Sequence, residues 1–439
     1  MQRNIYQNLL LWKKSKPRKP LILRGARQTG KTFVLREFGR NEFKTVHYCN
    51  FQQEKRFHQC FSGDLNPATI LQLLEFSLDT TINRETDLLF FDEIQDCPAA
   101  LTSLKYFYEQ LPQMAICCAG SLLGVVHSKE PFPVGAATFI DLYPFSFEEY
   151  LLAVDPKSCK FIRGLTIQSK IPDLIHDHLM GHLKDYFVVG GMPEVVDRFI
   201  NSNKGRFEGF SLVRQVQSDL VSAYIGDFAK YAESVQTQEI VAVFESIPAQ
   251  LAKESKKFKP SEVITGARFG KLRSAIDWLT SAGIAHKVFI ANAGELPFSA
   301  FTKENLFKLY MADIGLLGSL AKLSAQALLL PSDFFATFKG AFCENFVAQE
   351  FIAAGTAPLY SWNSNTAEVE FMREIDGMVI PIEVKSGLSG KLKSLKVFAD
   401  RYKSEYRVRF SAHNLEINKQ AHFHSYPLYL AGKFPLPIN

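Results

Sequence analysis

The sequence predicts an α/β protein of several domains, and three observations support this prediction. Short apolar runs at residues 21–23 and 88–91 have the length and composition of buried strands, and a helical pattern follows the first run. Near the other end of the chain, two runs of alternating polarity meet at Asp376 and Gly377, as the two strands of a hairpin do. The length of 439 residues exceeds one ordinary core, so we expect two or three domains on length alone.

Composition indicates a globular protein of the cytoplasm. Hydrophobic residues make up 47% of the chain and aromatic residues 13%, which is enough to fill several cores. No run of about 18 uncharged apolar residues is present, and the first residues lack the order of a signal peptide. We therefore expect no membrane partner and a cytoplasmic location.

The cysteines and histidines do not form a recognisable metal or disulfide pattern. The seven cysteines include no C-x-x-C pair, so reduced, buried thiols are expected. His176 with His178, and His422 with His424, could each offer two metal ligands. The further Cys or His pair of a structural zinc site is missing, so we predict no zinc at either place.

Positive charge is concentrated in three segments, although the net charge is only +5. Residues 1–40 carry eleven bases and one acid, residues 251–273 seven and two, and residues 383–409 eight and three. Such segments suit phosphate-rich partners such as DNA or RNA, although a solvated basic surface is an equally ordinary reading of any one of them.

A glycine-rich motif between the strand at 21–23 and the following helix predicts a phosphate-binding loop. It reads Gly25-x-x-x-x-Gly30-Lys31-Thr32, with the spacing and the strand-to-helix context of an ATP site. The backbone amides would surround the phosphates, Lys31 would reach the β and γ oxygens, and Thr32 would offer its hydroxyl to Mg²⁺. The predicted nucleotide-binding residues are Gly25, Ala26, Arg27, Gln28, Thr29, Gly30, Lys31, Thr32 and Phe33.

The second half of the predicted ATP site follows the apolar strand at 88–91. Asp92 and Glu93 end this strand, where acids face the ligand crevice of a parallel sheet. Asp92 is predicted to hold Mg²⁺, and Glu93 to orient or deprotonate the attacking water. A third buried strand is predicted to end at Ser121, whose side chain would sense the γ-phosphate.

Six strings of the sequence resemble a family of prokaryotic AAA-type ATPases with a conserved C-terminal domain of unknown function. They are GARQTGKT, LLFFDEIQ, AGSLLG, LYPFSFEEYL, YFVVGGMPEVV and YIGDFAKY. The resemblance implies an AAA-type P-loop domain with a parallel sheet flanked by helices, and an ATP site that often borrows a residue from a neighbouring copy in an oligomer. Ala136 stands where the family often has a basic residue, so no arginine finger is assigned there.

We expect four regions along the chain. They are an AAA-type ATP-binding domain at 1–155, a helical lid or connector at 156–245, a winged-helix-like domain at 246–325, and a C-terminal α/β domain at 326–439. The winged-helix-like domain is expected because a helix, a turn, a second helix and a strand pair follow one another between residues 253 and 298. Lys271 and Arg273 would open its second helix, where a recognition helix meets DNA, although a winged helix also serves as a protein-docking module.

The last region resembles the core of PD-(D/E)XK nucleases. A helix carrying Glu344, a strand carrying Glu370 and a strand carrying Glu383 and Lys385 follow one another in the expected order. The resemblance implies that the three glutamates hold Mg²⁺ or Mn²⁺ and that Glu383 and Lys385 are catalytic, with the lysine stabilising charge on the phosphate. Glu370 replaces the usual aspartate and is one methylene longer. A plain ion pair between Glu383 and Lys385 is the alternative.

Two functions follow from these predictions. The first is an ATPase whose hydrolysis rearranges a C-terminal module that binds nucleic acid and can include a metal-dependent nuclease. The second is a nucleotide-dependent switch or scaffold that recruits a protein partner through an inactive nuclease fold. ATP hydrolysis that is indifferent to DNA would indicate the second.

Overall fold

The computed structural model describes residues 3–120, 135–202, 206–231, 234–324, 336–364, 366–387 and 392–438. The chain divides into two compact units. Unit 1 comprises residues 1–143 together with 281–283, and unit 2 comprises residues 144–280 together with 284–439.

Helices and strands are interspersed in unit 1, whereas unit 2 begins with consecutive helices and ends with most of its strands. The helices are α1 (Tyr6–Lys14), α2 (Lys31–Glu42), α3 (Arg56–Gln59), α4 (Pro67–Leu78), α5 (Pro98–Gln110), α6 (Phe147–Val154), α7 (Pro156–Arg163), α8 (Asp173–Val189), α9 (Pro193–Ile200), α10 (Arg206–Tyr231), α11 (Ser234–Leu251), α12 (Phe269–Ser281), α13 (Ile314–Leu320), α14 (Ala336–Ala353) and α15 (Lys393–Tyr402). The strands are β1 (Leu21–Arg24), β2 (Val46–Asn50), β3 (Leu88–Asp92), β4 (Ala115–Gly120), β5 (Thr138–Asp141), β6 (Ala285–Ala291), β7 (Thr302–Met311), β8 (Leu359–Asn363), β9 (Glu368–Ile375), β10 (Met378–Val384), β11 (Arg407–Ser411), β12 (Glu416–Asn418) and β13 (Phe423–Pro427).

Unit 1 is built around a five-stranded sheet in the order β2-β3-β4-β1-β5, in which every pairing is parallel. Both faces are covered, because successive side chains of a strand point to opposite sides. Leu21 and Leu23 of β1 lie in one core with Phe38 of α2, whereas Ile22 lies in the other core with Leu104 of α5. The apolar runs at 21–23 and 88–91 are therefore buried strands, as predicted.

The parallel arrangement brings the carboxyl ends of the strands to one edge of the sheet. The phosphate-binding motif follows β1 at this edge, and Asp92 is the last residue of β3. The predicted third strand is β4, which ends at Gly120. Ser121 lies outside the described residues.

Unit 2 contains a mixed sheet of eight strands in the order β12-β13-β11-β10-β9-β8-β6-β7. Strands β8, β9 and β10 pair antiparallel, and β10 then pairs parallel with β11 after the crossover through α15. The predicted hairpin is present, with Asp376 and Gly377 at φ of 52° and 78° between the paired residues Ile375 and Met378.

The predicted four-region division stays a prediction, and the structure adds one fact that bears on it. The strand pair expected in the region 246–325 is formed by β6 and β7, which pair antiparallel. Because β6 also pairs with β8, this strand pair lies at one edge of the same sheet as the strands of region 326–439. The preceding helix α12 buries Leu272, Ile276 and Leu279, which form the predicted apolar stripe.

All seven cysteines are buried and free of disulfide bonds, as expected for reduced thiols. In the part of the chain that the structure describes, no helix has both the length and the apolar character required to cross a bilayer.

Candidate functional site

The phosphate-binding motif forms a loop that links β1 to α2. Three of its residues have positive φ: Gly25 at 150°, Gln28 at 63° and Gly30 at 91°. A Cβ atom on Gly25 would collide with the carbonyl oxygen of Leu142, so this position requires glycine for space as well as for conformation. The loop thus has the left-handed turns that a chain needs in order to curl around an anion.

Lys31 is the first residue of α2, and its ammonium group lies inside the loop. Its Nζ donates to the carbonyl oxygens of Gly25 and Ala26 at 2.8 and 2.7 Å. The side chain is buried, and burial lowers the pKa of Lys31 to about 8 although the carboxylates of Asp92 and Glu93 act in the opposite direction. An ammonium group removed from water in this way favours an anionic partner.

Thr32 joins the loop to the end of β3. Its hydroxyl lies 3.2 and 3.0 Å from the two carboxylate oxygens of Asp92. Tyr48 of β2 donates its hydroxyl to the same carboxylate at 2.7 Å. Burial raises the pKa of Asp92, and Glu93 adds to this, whereas the hydrogen bonds from Tyr48 and Thr32 lower it. A hydroxyl and a carboxylate held together are the hard oxygen donors that Mg²⁺ prefers, so these residues fit the predicted metal.

Glu93 adopts a left-handed conformation with φ of 50°, which is uncommon for a residue with a side chain. Its amide donates to Asp92 Oδ1 at 3.1 Å, and its carboxylate accepts a hydrogen bond from Gln95 Nε2 at 2.5 Å. The tight turn therefore places the two adjacent acids in different environments. Asp92 is buried beside Thr32 of the phosphate-binding motif, and Glu93 is held by the side-chain amide of Gln95. Backbone strain of this kind is concentrated at functional sites.

The remaining predicted residues of the ATP site lie along the same segment. Ala26 and Thr29 are buried, and the Thr29 hydroxyl donates to the carbonyl of Ala26 at 2.9 Å. Phe33, in the first turn of α2, exposes 57% of its surface. Arg27 and Gln28 lie between the two glycines of the loop.

Three residues that support this site were not predicted from the sequence. Arg3 is buried and donates to the carbonyl oxygen of Thr29 at 3.0 Å and to that of Tyr143 at 2.6 Å, so the start of the chain supports the loop. Asn50 donates to the hydroxyl of Tyr48 at 3.1 Å. Tyr48 and Asn50 lie on β2, the strand next to β3, and alternate with its buried residues. This alternation is the sequence signal that could have identified them as residues of the site.

In unit 2, the structure brings together the four residues of the nuclease-like prediction. Glu344 lies on α14, Glu370 on β9, Glu383 on β10, and Lys385 directly follows β10. Lys385 Nζ lies 2.5 Å from Glu383 Oε1 and 3.9 Å from Glu370 Oε1. We call these residues, together with Lys256, Lys308, Tyr310 and Glu368, the acid–lysine cluster.

Other groups of the acid–lysine cluster neutralise Glu344. Its two carboxylate oxygens accept hydrogen bonds from Lys256 Nζ at 2.8 Å and from the hydroxyl of Tyr310 at 2.9 Å. The buried Lys308 pairs with Glu368 Oε1 at 2.5 Å. None of these pairings was predicted, because the two residues of each pair are far apart in the sequence.

Burial and crowding of the acids perturb the electrostatics of the acid–lysine cluster. Burial, together with the neighbouring Glu383 and Glu344, raises the pKa of Glu370 to about 8. Burial also raises the pKa of Glu383 in spite of Lys385. For Lys385, burial acts to lower the pKa, but the surrounding glutamates raise it above its ordinary value. Within the described residues, Glu383 Oε2 is a buried acceptor without a hydrogen-bond donor.

The carboxylates of Glu344, Glu370 and Glu383 do not lie in the compact arrangement of an assembled metal site. Among the described residues, the three-residue sets with all ligand atoms within 4.8 Å of one another do not include them. Lysine ammonium groups pair with two of these carboxylates, Lys256 with Glu344 and Lys385 with Glu383. The metal-ligand assignment of these three glutamates therefore stays a prediction.

Comparison with protein families assigns a class to the first part of the chain. Residues 17–151 match the family described as AAA domain. Residues 180–327 match "Domain of unknown function (DUF8612)", and residues 339–429 match "Domain of unknown function (DUF4143)". The chain therefore contains an AAA-type ATPase domain followed by two domains whose function the families do not define. A comparison with curated proteins finds no match.

Solved structures similar to this chain share little sequence with it. A Walker-type ATPase of Pyrococcus abyssi is 15% identical, with a TM-score of 0.46, over 73% of this chain and 95% of that chain. The Orc1 protein of Aeropyrum pernix, solved in complex with DNA, is 13% identical, with a TM-score of 0.30, over 73% of this chain and 91% of that one. The Holliday junction branch migration motor RuvB of Thermotoga maritima is 14% identical, with a TM-score of 0.30, over 66% and 90%.

The space around Gly25 leads to a prediction about nucleotide binding. Gly25→Ala should weaken the binding of a fluorescent ATP analogue by about 10- to 100-fold. The new methyl group would collide with Leu142, and a residue with a side chain disfavours the φ of 150° at this position. Together these two effects should cost about 1–3 kcal/mol. Gly63→Ala is the matched control, since no atom lies within 4 Å of its added Cβ. Equal affinity of Gly25→Ala and wild type would show that the loop does not cradle the nucleotide.

Proposed function

We propose that this protein is an ATPase that couples ATP hydrolysis to rearrangement of a C-terminal nucleic-acid-binding module with a nuclease-like site. The observation that carries the first half is the geometry of the phosphate-binding loop. The Lys31 ammonium is buried inside it, and Thr32 is hydrogen-bonded to Asp92 across a separation of 60 residues in the sequence. These are the groups that phosphate transfer from a nucleotide requires.

Each residue of the ATP site has a distinct role in this proposal. Lys31 exchanges the loop carbonyls for the β and γ oxygens of ATP, which relieves the desolvation of its ammonium group. Thr32 and Asp92 hold Mg²⁺, which supplies positive charge to offset that of the phosphates. Glu93, adjacent to Asp92 and fixed by Gln95, orients the attacking water and accepts its proton. Ser121, the proposed sensor of the γ-phosphate, lies outside the described residues.

The nucleic-acid half of the proposal is supported by a basic cavity in unit 2. This cavity of about 230 Å³ is lined by Lys257 and Lys303, by Asn292 and Asn363, and by Glu368 of the acid–lysine cluster. Ammonium and amide donors of this kind suit phosphate and sugar oxygens.

The predicted DNA-contacting residues of α12 differ in their surroundings. Arg273 and Lys271 are both exposed, and Arg273 is paired with Glu304 at 2.6 Å. This pairing neutralises part of the basic segment at 251–273. The cavity lined by Lys257 and Lys303 is therefore the better supported place for contact with a phosphate.

The nuclease-like half is supported by the convergence of three glutamates and one lysine from a helix and two neighbouring strands. The unpartnered Glu383 Oε2 and the raised pKa of Glu370 are features of carboxylates that a divalent cation would stabilise. Mg²⁺ or Mn²⁺ bound here would activate a water for attack on a phosphodiester.

The second candidate function is a nucleotide-dependent switch or scaffold that recruits a protein partner. The observation that favours it is the neutralisation of the acids by lysines, with Lys385 on Glu383 and Lys256 on Glu344. Carboxylates that lysines already neutralise need no metal, so the acid–lysine cluster can take part in binding without catalysis. An oligomer of this chain is compatible with both functions.

The proposal predicts how ATP turnover responds to substitution. Lys31→Ala should reduce turnover by at least about 100-fold, because an ammonium that stabilises charge in the transition state is lost. Glu93→Gln should bind ATP with unchanged affinity and yet turn it over slowly. Lys105→Ala, in an exposed pair with Glu109 of the same unit, is the control and should behave as wild type.

These rates are measured by phosphate release with and without DNA or RNA. Stimulation by nucleic acid supports the coupled ATPase, whereas turnover indifferent to it supports the scaffold. Full turnover by Lys31→Ala would contradict the ATP-site assignment.

The nuclease-like site predicts metal-dependent cleavage that depends on the acid–lysine cluster. Linear DNA, supercoiled DNA and RNA are incubated with wild type in Mg²⁺ or Mn²⁺, and we expect cleavage to be lost in Glu383→Gln and Lys385→Met. Glu374→Gln is the matched control, since Glu374 is exposed on the neighbouring strand β9. Equal cleavage by all variants would assign the activity to a contaminant, and no cleavage with either metal would favour the scaffold.

A further inference from the structure

A second group of potential metal ligands lies in unit 2, apart in residue and element from the acid–lysine cluster. It consists of Asp155, His178 and His182. His178 Nε2 lies 2.9 Å from Asp155 Oδ2, His182 Nε2 lies 3.3 Å from the same oxygen, and the two Nε2 atoms are 3.2 Å apart. Within the described ranges, no other set of three residues has all its ligand atoms within 4.8 Å of one another.

The local structure explains why these three side chains meet. His178 and His182 are four residues apart on α8, so their rings lie on the same face of the helix, with centroids 4.7 Å apart. Asp155 is the N-cap of α7, and its carboxylate accepts hydrogen bonds from the amide of Ser158 at 3.2 Å and from its hydroxyl at 2.5 Å. The carboxylate is thus held in place by the helix that it caps.

The sequence predicts no zinc for a different pair of histidines, His176 with His178. His176, two residues before His178, is buried and pairs through Nδ1 with the hydroxyl of Tyr429 and through Nε2 with the carbonyl of Ala412. It is therefore already satisfied by protein groups. The ring that lies against His178 is that of His182, one helical turn further on.

The spacing of the three ligand atoms matches the coordination sphere of a small transition metal. With bonds of about 2.0–2.1 Å, two ligands of a tetrahedral zinc ion lie ~3.3 Å apart. The observed separations are 2.9, 3.2 and 3.3 Å. Two imidazole nitrogens and one carboxylate oxygen are a donor set that suits zinc and its neighbours in the transition series and disfavours Mg²⁺ and Ca²⁺.

The exposure of the ligands is compatible with binding. His178 exposes 57% of its side chain, which leaves solvent access for the ion and for a water ligand.

We propose that Asp155, His178 and His182 form a binding site for a zinc-class divalent cation. The ion would be held by three protein ligands with a water at the open position, and it would link the N-terminus of α7 to α8. The two imidazole nitrogens among its ligands distinguish this site from the ATP site and from the acid–lysine cluster, both of which offer oxygen ligands to Mg²⁺ or Mn²⁺.

The test is a calorimetric titration of the full-length protein with Zn²⁺ in excess Mg²⁺, which occupies the oxygen sites. We expect one Zn²⁺ per chain, and a loss of affinity of at least about tenfold in each of His178→Gln, His182→Gln and Asp155→Asn. His422→Gln is the matched control, because His422 is exposed and its ring pairs with the carbonyl of Glu405 through Nδ1. Asp155→Asn retains an oxygen that can cap α7.

A thermal unfolding measurement keeps the test independent of folding defects. Zn²⁺ should raise the unfolding temperature of wild type and His422→Gln, and it should leave that of His178→Gln unchanged, while all three unfold alike without the metal. Wild-type affinity in the three ligand variants, or no Zn²⁺ binding by wild type, would overturn the proposal.

Discussion

The hydrogen bond between Thr32 and Asp92 is the interaction on which the proposed ATP site depends. It joins the first turn of α2 to the carboxyl end of β3, and strand β4 separates β3 from β1 in the sheet. Only a parallel sheet with β1, β4 and β3 in register brings these two residues to the same edge. The order of strands, the two apolar cores and the glycines of the loop all serve to bring one hydroxyl and one carboxylate within hydrogen-bond distance.

In unit 2, the corresponding constraint is the burial of several carboxylates in one place. A buried carboxylate without a partner is strongly unfavourable, so the sheet supplies Lys308 from β7 and Lys385 from the end of β10. Replacing such pairs by apolar residues is often neutral or stabilising, and fold stability alone does not require them. The proposed binding of a cation or of a partner gives these buried pairs a role that fold stability does not.

Local patterns in the sequence predicted the elements that depend on neighbouring residues. The phosphate-binding loop, the strand that ends at Asp92 and the hairpin at Asp376 and Gly377 each depend on a short segment whose spacing and turn residues specify it. The approach of Glu383 to Lys385 also follows from the alternation of one strand.

Long-range partners could not be predicted in this way. Tyr48 reaches Asp92 across 44 residues and Lys256 reaches Glu344 across 88, and no local rule specifies such pairs. The junction of β6 with β8 was missed for the same reason, because a strand pair that is plausible by itself does not reveal which sheet it joins. The meeting of Asp155 with His178 and His182 likewise depends on how α7 and α8 pack in unit 2.

The most direct test is calorimetry of ATP binding, measured once with Mg²⁺ and once with EDTA. It compares wild type with Thr32→Val, a substitution that removes one hydroxyl at nearly constant volume. We expect Mg²⁺ to tighten ATP binding to wild type by at least about tenfold, through its bonds to Thr32 and Asp92. In Thr32→Val this gain should be lost, while the metal-free affinity stays unchanged. An equal gain in both proteins, or no binding of magnesium nucleotide by wild type, would contradict the central claim that this hydroxyl and carboxylate form a magnesium–nucleotide site.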